Sequence, residues 1–397
     1  MIRARRRLVG VVAIAGAISM ACGPSARDLD RWQETDDGLI AIVEIVKRSG
    51  GDVRLRTDAA MRLVHAIRRQ RWVGIDLLVE AVSTLNRQAR TPLIGALAPL
   101  LVKESMLPRG SDARDPSIAA KDAMVGLLAH DLVDDPRVRD VFRAALRTWV
   151  CNSARSNFVS QRYSVASTVR VLGAQGVVGL LADVERDGHI GDLASVVVEV
   201  ADDAGRARAS VDLVTRLRAV GTEAWRAKWR DTIASSQPAS EQYRARLLVD
   251  IEHDVQRDLL TAIGRVGGAS TIAAAIDLAT ARSIDAGVRR AALDALRARA
   301  REMVPSDLDR IVAFAASESL PTKDRDAVVT LLTALANVPA LGARLDARIA
   351  EGGRVRFVAA LAQLPSVEAR NLDAFLARAL DPSLPFACGD EPSAWAK

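Results

Sequence analysis

Asp285-Ala286-Gly287-Val288-Arg289-Arg290-Ala291-Ala292-Leu293-Asp294-Ala295-Leu296 is the stretch on which the fold turns. An aspartate stands just ahead of a periodic apolar run. There its carboxylate can accept the orphan amides of a first helical turn and meet the positive end of the helix dipole. From Arg289, Ala292 follows at +3 and Leu296 at +7, so both fall on one helix face. Two other stretches repeat the layout: Asp52-Val53-Arg54-Leu55-Arg56, followed by Ala59 and Leu63, and Asp135-Pro136-Arg137-Val138-Arg139, followed by Phe142 and Leu146. Pro136 takes the first helical position, where a missing N–H costs nothing. The starts lie 83 and 150 residues apart, close to two and four units of about 40.

From Asp36 to about Leu380 the pattern stays helical, with apolar residues three and four apart, as in Leu55, Ala59, Leu63 and Ile67. Runs end at Gly, Pro, Asp or Ser. Aromatics make up only 4% of the chain, which removes many of the residues that strands favour. Val196-Val197-Val198 is the best strand candidate, but its Asp and Ala neighbours favour a buried helix. Leu172-Gly173-Ala174-Gln175-Gly176 matches Ile263-Gly264-Arg265-Val266-Gly267; glycine there permits a left-handed helix end and a close approach by the next helix. Residues 104–118, with Pro108, Gly110 and Pro116, break the period.

The Asp-x-x-Val-Arg start, the Leu-Gly-x-x-Gly turn and the period of about 40 together resemble HEAT repeats, including the PBS-lyase type. The resemblance implies an all-α fold: an α-solenoid of stacked antiparallel helix hairpins over residues 36–380. A hairpin of this kind cannot bury its apolar face alone and must stack on its neighbours. Residues 381–397 read as an irregular C-terminal tail.

The N-terminus points to export. Arg3, Arg5, Arg6 and Arg7 precede an uncharged apolar run from Leu8 to Ala21, the layout of a signal peptide over residues 1–21. As a helix this run would span ~21 Å, short of the ~30 Å hydrocarbon core. Cys22 after Ala21 resembles the lipobox of bacterial lipoproteins, which implies acylation of Cys22 and a lipid tether to the membrane. Ser19 stands where that family prefers Leu, and Ser19-Met20-Ala21 also fits ordinary signal-peptidase cleavage at the same bond. Gly23 in place of Asp implies the outer membrane under the sorting rule of enteric lipoproteins. Residues 22–35, with Gly, Pro, Ser and charged residues, read as a short tether. In an oxidising compartment a disulfide between Cys151 and Cys388 is permitted, but unpaired thiols fit better for residues so far apart in a linear stack.

Charge and motifs argue against catalysis and nucleic acid. The chain carries +6, but the first 21 residues hold four arginines and no acid; the remainder has 51 basic against 49 acidic residues. Such a balance leaves no basic footprint for nucleic acid. His65, His130, His189 and His253 are scattered, without metal-ligand spacing. No nucleophile elbow or phosphate loop occurs, and Gly264-Arg265-Val266-Gly267-Gly268 reads as a helix turn. Asp134-Asp135 and Asp202-Asp203 read as helix caps. No catalytic residue, metal or cofactor is expected.

Trp225, Arg226, Trp229 and Arg230 form the one candidate contact patch, with aromatic and cationic groups four apart on a helix. The resulting expectation is a non-catalytic, membrane-tethered envelope scaffold that binds another protein or a polymer through its solenoid surface. An enzyme with a site assembled across repeats and a nucleic-acid-binding HEAT-like protein are the alternatives.

Overall fold

The computed structural model describes residues 24–66, 73–107, 115–152, 162–184, 190–236, 240–315 and 324–348. The signal segment, Cys22, His189, Cys388, residues 349–380 and the tail at 381–397 lie outside them. The fold is all-helical, with no strand among the described residues. Two compact units divide the chain, Met1–Gly176 and Val177–Lys397. The first holds α1 (Ala26–Gln33), α2 (Asp36–Lys47), α3 (Val53–Val64), α4 (Val73–Ser83), α5 (Arg87–Ser105), α6 (Pro116–Ala129), α7 (Pro136–Asn152) and α8 (Val165–Val177), whose last residue opens the second unit. The second continues with α9 (Leu180–Asp183), α10 (Ile190–Val200), α11 (Asp203–Ala219), α12 (Glu223–Ser236) and α13 (Glu241–Val266). It ends with α14 (Ala269–Thr280), α15 (Ala286–Ala298), α16 (Pro305–Ala315), α17 (Arg325–Ala336) and α18 (Pro339–Arg348).

The aspartates ahead of the periodic runs are caps. Asp52 accepts the amide of Arg54 at 2.9 Å, Asp135 that of Arg137 at 2.9 Å, and Asp285 those of Gly287 and Val288 at 2.8 and 3.1 Å. The residues at +3 and +7 face inward: Ala59, Leu63, Phe142, Leu146 and Ala292 are fully buried and Leu296 is 1% exposed. Val196 and Val197 lie buried in α10, as a helix.

The arginine four residues after the cap has a role that periodicity does not reveal. Arg289 is 3% exposed; its Nε and Nη2 donate to the carbonyls of Ala279 and Ala281 at the end of α14 (3.2 and 2.7 Å). Its Nη1 reaches the Asp324 carboxylate at 2.6 Å, at the start of α17. Arg56 repeats this, donating to Val46 at the end of α2 (3.1 Å) and to Ala89 in the first turn of α5 (3.2 Å). One side chain thus satisfies orphan carbonyls at the end of the preceding helix and ties its own helix to the next but one. Arg90, four residues after the cap Asn86, grips Asp134 with two bonds of 2.7 and 2.6 Å. Asp134 is therefore the partner of Arg90, while its neighbour Asp135 is the cap.

Packing follows an alternation. In the first unit α1, α2, α3, α5 and α6 each pack on the next helix in sequence, and α1–α5 all pack on the next but one. In the second unit, once α12 is set aside, every helix from α9 to α16 packs on the next but one and each except α15 on the next: α10 packs on α11 and α13, α11 on α13 and α14, and α13 on α14 and α15. α12 packs chiefly on α13. Helix α6 is buried on every face from Ser117 to Leu127, yet it carries Lys121 and Asp122, both fully buried. Lys121 Nζ donates to Asp122 and to the Tyr163 carbonyl, each at 2.5 Å, and lies 4.9 Å from the centre of the Trp149 ring. Asp122 accepts the amides of Arg162 and Tyr163 at 2.6 and 3.0 Å. Burial pushes its carboxyl up and the Lys121 ammonium pulls it back.

Within residues 22–35, Ala26–Gln33 is helical: Ser25 and Asp28 form a reciprocal capping box, Leu29 is 1% exposed, and Arg62 of α3 pairs with Asp30 at 2.7 Å. The two glycine motifs also part company. Gly173 breaks α8 at φ 71°, whereas its counterpart Gly264 lies inside α13, where an added Cβ would sit 3.1 Å from Ala295 Cα. The left-handed residue of the second motif is Gly267, at φ 76°.

Leu296→Ala should cost about 2–5 kcal/mol by emptying space between α15 and its neighbours, read by denaturant unfolding. A second expectation concerns pH. The Arg90 hydrogen bonds hold the Asp134 carboxyl below its usual value. A carboxylate with a lowered folded-state value stabilises the protein above its unfolded value of about 3.9 and loses that contribution as pH falls through the folded value. Asp134→Asn should therefore lower the melting temperature at pH 7, and the gap to the parent should shrink below about pH 4.

Candidate functional site

Helix α12 carries the four residues singled out from sequence. The chain leaves α11 through Gly221, at φ 78°, where an added Cβ would sit 2.5 Å from the Glu252 carboxylate of α13. Both the left-handed backbone and the lack of space demand glycine. Thr222 then accepts the Trp225 amide at 3.4 Å, and α12 begins. Glu252 holds the helix down: Arg226 donates to it from Nε at 3.0 Å and from Nη2 at 2.9 and 3.1 Å. Ile233 is the one fully buried residue described on α12, at 4% exposure.

Trp225 and Trp229 are half-buried, with ring centres 5.8 Å apart and planes tilted by 45°. The indole Nε1 of Trp225 is shut from water with no hydrogen-bond partner. Arg230 turns along its own helix to Glu223 at 2.6 Å and holds that carboxyl below the usual range; the pair is exposed and adds little stability. Sequence reasoning placed the four residues on one helix, as they are. The structure divides them: the tryptophans form a tilted aromatic stripe, while Arg226 and Arg230 line a cleft between α12 and α13.

That cleft, of about 490 Å³, is lined by Ile233, Leu248, Val249 and three arginines, with Asp231 and Glu241 among its polar edges. The third arginine, Arg244, is absent from the sequence-derived set. It stands four residues after the cap Ser240, the position that elsewhere holds the tie between helices. Here it makes no ion pair with the described residues, and its Nε is buried without a partner. Its spacing from Ser240 was visible in the sequence, but a serine cap hid the likeness to the aspartate starts. The first half of α13 buries only Leu248; Tyr243 and Val249 are 51% and 48% exposed.

The remaining candidates settle into structural roles. His65 Nε2 lies 2.8 Å from Glu104, His130 ends α6, and His253 is 3.9 Å from the cap Asp285. No group of three metal-ligating residues occurs among those described. At the turn following α13, the Gly268 amide donates to Glu302 at 2.9 Å, so a carboxylate of the chain itself fills the place an anion would take. Cys151 is buried at the end of α7. No single helix among the described residues is long and apolar enough to cross a membrane.

No protein-family model matches the chain, and no curated protein matches it. Among solved structures, an engineered protein is similar at 15% identity over 90% of this chain and 93% of its own, with a TM-score of 0.28.

Glu252→Ala should release Arg226 and loosen α12 alone. With the tie worth about 1 kcal/mol at this partly exposed position, amides of α12 should exchange with solvent roughly fivefold faster while those of α15 are unchanged.

Proposed function

We propose that this protein is a non-catalytic, lipid-tethered scaffold of the bacterial envelope, an α-solenoid of HEAT-like hairpins that binds another envelope protein or a polymer. One observation carries the binding role: α12 stands outside the packing alternation and presents a tilted Trp225–Trp229 pair beside a cleft lined by Arg226 and Arg230. Insertions in repeat arrays gather on one face, often the one that binds. Tryptophan and arginine are the side chains that dominate contact energy. The solenoid is supported by the packing of helices on the next and the next but one, and by the recurring arginine ties that follow the capping residue. Both are what stacked hairpins require. The tether rests on sequence alone, on Cys22 after an uncharged apolar run.

Cys22→Ser should still be exported, since Ser19-Met20-Ala21 remains a cleavage site, but should move from the membrane to the soluble fraction. Two or three acyl chains, at ~0.8 kcal/mol per buried CH₂, give stable anchoring that an unmodified terminus lacks. Membrane partitioning by the serine variant, or an unmodified Cys22 in the intact mass, would overturn the anchor. A photocrosslinking residue at position 225 or 229 of the membrane-bound protein should capture a discrete partner. Crosslinking from those positions no greater than from a distant exposed site such as 304 would overturn the binding role.

A further inference from the structure

The cleft between α12 and α13 has the features of a groove for one helix. Its lining runs along nine residues of each wall, from Arg226 to Ala234 and from Glu241 to Val249, which is about 12 Å or two helical turns. Apolar side chains, Ile233, Leu248 and Val249, form its inner surface, and Val249 stays 48% exposed. Its cations differ in their commitments. Arg226 is bound to Glu252 and Arg230 to Glu223, but Arg244 has no counter-charge among the described residues. The Arg244 Nε and, on the adjoining stripe, the Trp225 Nε1 are both donors closed off from water without an acceptor. A buried donor with no acceptor carries its desolvation penalty uncompensated. The arginines at the equivalent place in other hairpins meet carbonyls or a carboxylate. Asp231 and Glu241 also line the cleft, yet neither pairs with Arg244, and what the walls leave uncovered is apolar surface.

We propose that the cleft receives an amphipathic helical segment of a partner protein, with apolar residues three and four apart and an acidic residue set against Arg244. This rests on the scaffold reading and adds the chemistry of the partner. Helix-in-groove docking uses anchors at i, i+3 or i+4, and i+7, which two turns of groove accommodate. The partner's carboxylate gives the Arg244 guanidinium the counter-charge it does not have from the described residues and fixes the orientation of the helix.

The test uses the full chain and two fluorescein-labelled 14-residue helical peptides. They share a leucine stripe at i, i+3, i+4 and i+7 and differ in carrying glutamate or lysine beside it. Anisotropy should show the glutamate peptide binding at least tenfold tighter than the lysine peptide. Arg244→Glu should reverse that order, and Val249→Asp should abolish binding of both, with circular dichroism and melting unchanged in each variant. Equal binding of the two peptides, a lysine preference in the parent, or no effect of Arg244→Glu overturns the proposal. So does Arg244-dependent binding to phosphatidylglycerol vesicles without peptide discrimination, which would assign the cleft to a lipid surface. Crosslinking from position 225 together with failure of the peptide test would reject this cleft as the docking groove and leave the scaffold reading standing. Peptide discrimination without crosslinks would do the reverse.

Discussion

The structure depends on what happens at the end of each helix. A helix leaves its last carbonyls without intrahelical partners, and where helices pack closely several of those carbonyls are buried. Arg289 answers this with one side chain: two carbonyls at the end of α14 and the Asp324 carboxylate, all within 3.2 Å. Arg56 does the same for α2 and α5. The guanidinium is suited to the place because its donors are fixed in a planar fork and it stays charged. A lysine would offer a single ammonium and could not span both carbonyls. The tie also carries register, since in both cases Nε meets the carbonyl ten residues upstream, in the last turn of the preceding helix.

The ties are not uniform. Arg289 has Asp324 as a counter-charge, and Arg90 has Asp134. Arg56 meets carbonyls only; its Nη2 is buried without a partner, and burial holds its guanidinium below the usual value. The residue that caps α5, two helices on, is Asn86, where Asp324 stands ahead of α17. Asn86 uses its side chain to cap its own helix, whereas Asp324 makes no side-chain cap and gives its carboxylate to Arg289.

Most of the helices were legible in the sequence because cap, apolar period and small residues agreed at Asp52, Asp135 and Asp285. Less clear were places where one signal was replaced by another. Asn86 and Ser240 cap as well as aspartate does, so starts at α5 and α13 did not match the aspartate pattern. Helix α1 was missed because Gly23, Pro24 and Ser25 suggest a linker, while Ser25 and Asp28 in fact close a capping box. At the candidate site, Trp225, Arg226, Trp229 and Arg230 followed from helical spacing. Their division between an aromatic stripe and a cleft did not, because it depends on where α13 lies. Arg244 needed that second helix before its lack of a partner could be seen. The buried Lys121–Asp122 pair was illegible for a related reason: its amide partners at 162 and 163 lie forty residues on.

That pair has an evolutionary consequence. Lys121 and Asp122 share one dry pocket with two backbone amides and a carbonyl. Neutralising either residue alone leaves the other as an uncompensated buried charge, at about 3–5 kcal/mol, whereas replacing both by apolar side chains of similar volume is close to neutral or even favourable. The route between the two states passes through intermediates less stable than either. The two positions are thus bound to drift together or not at all, and α6 carries a linked pair of characters in the middle of a helix whose other residues are mostly small and apolar.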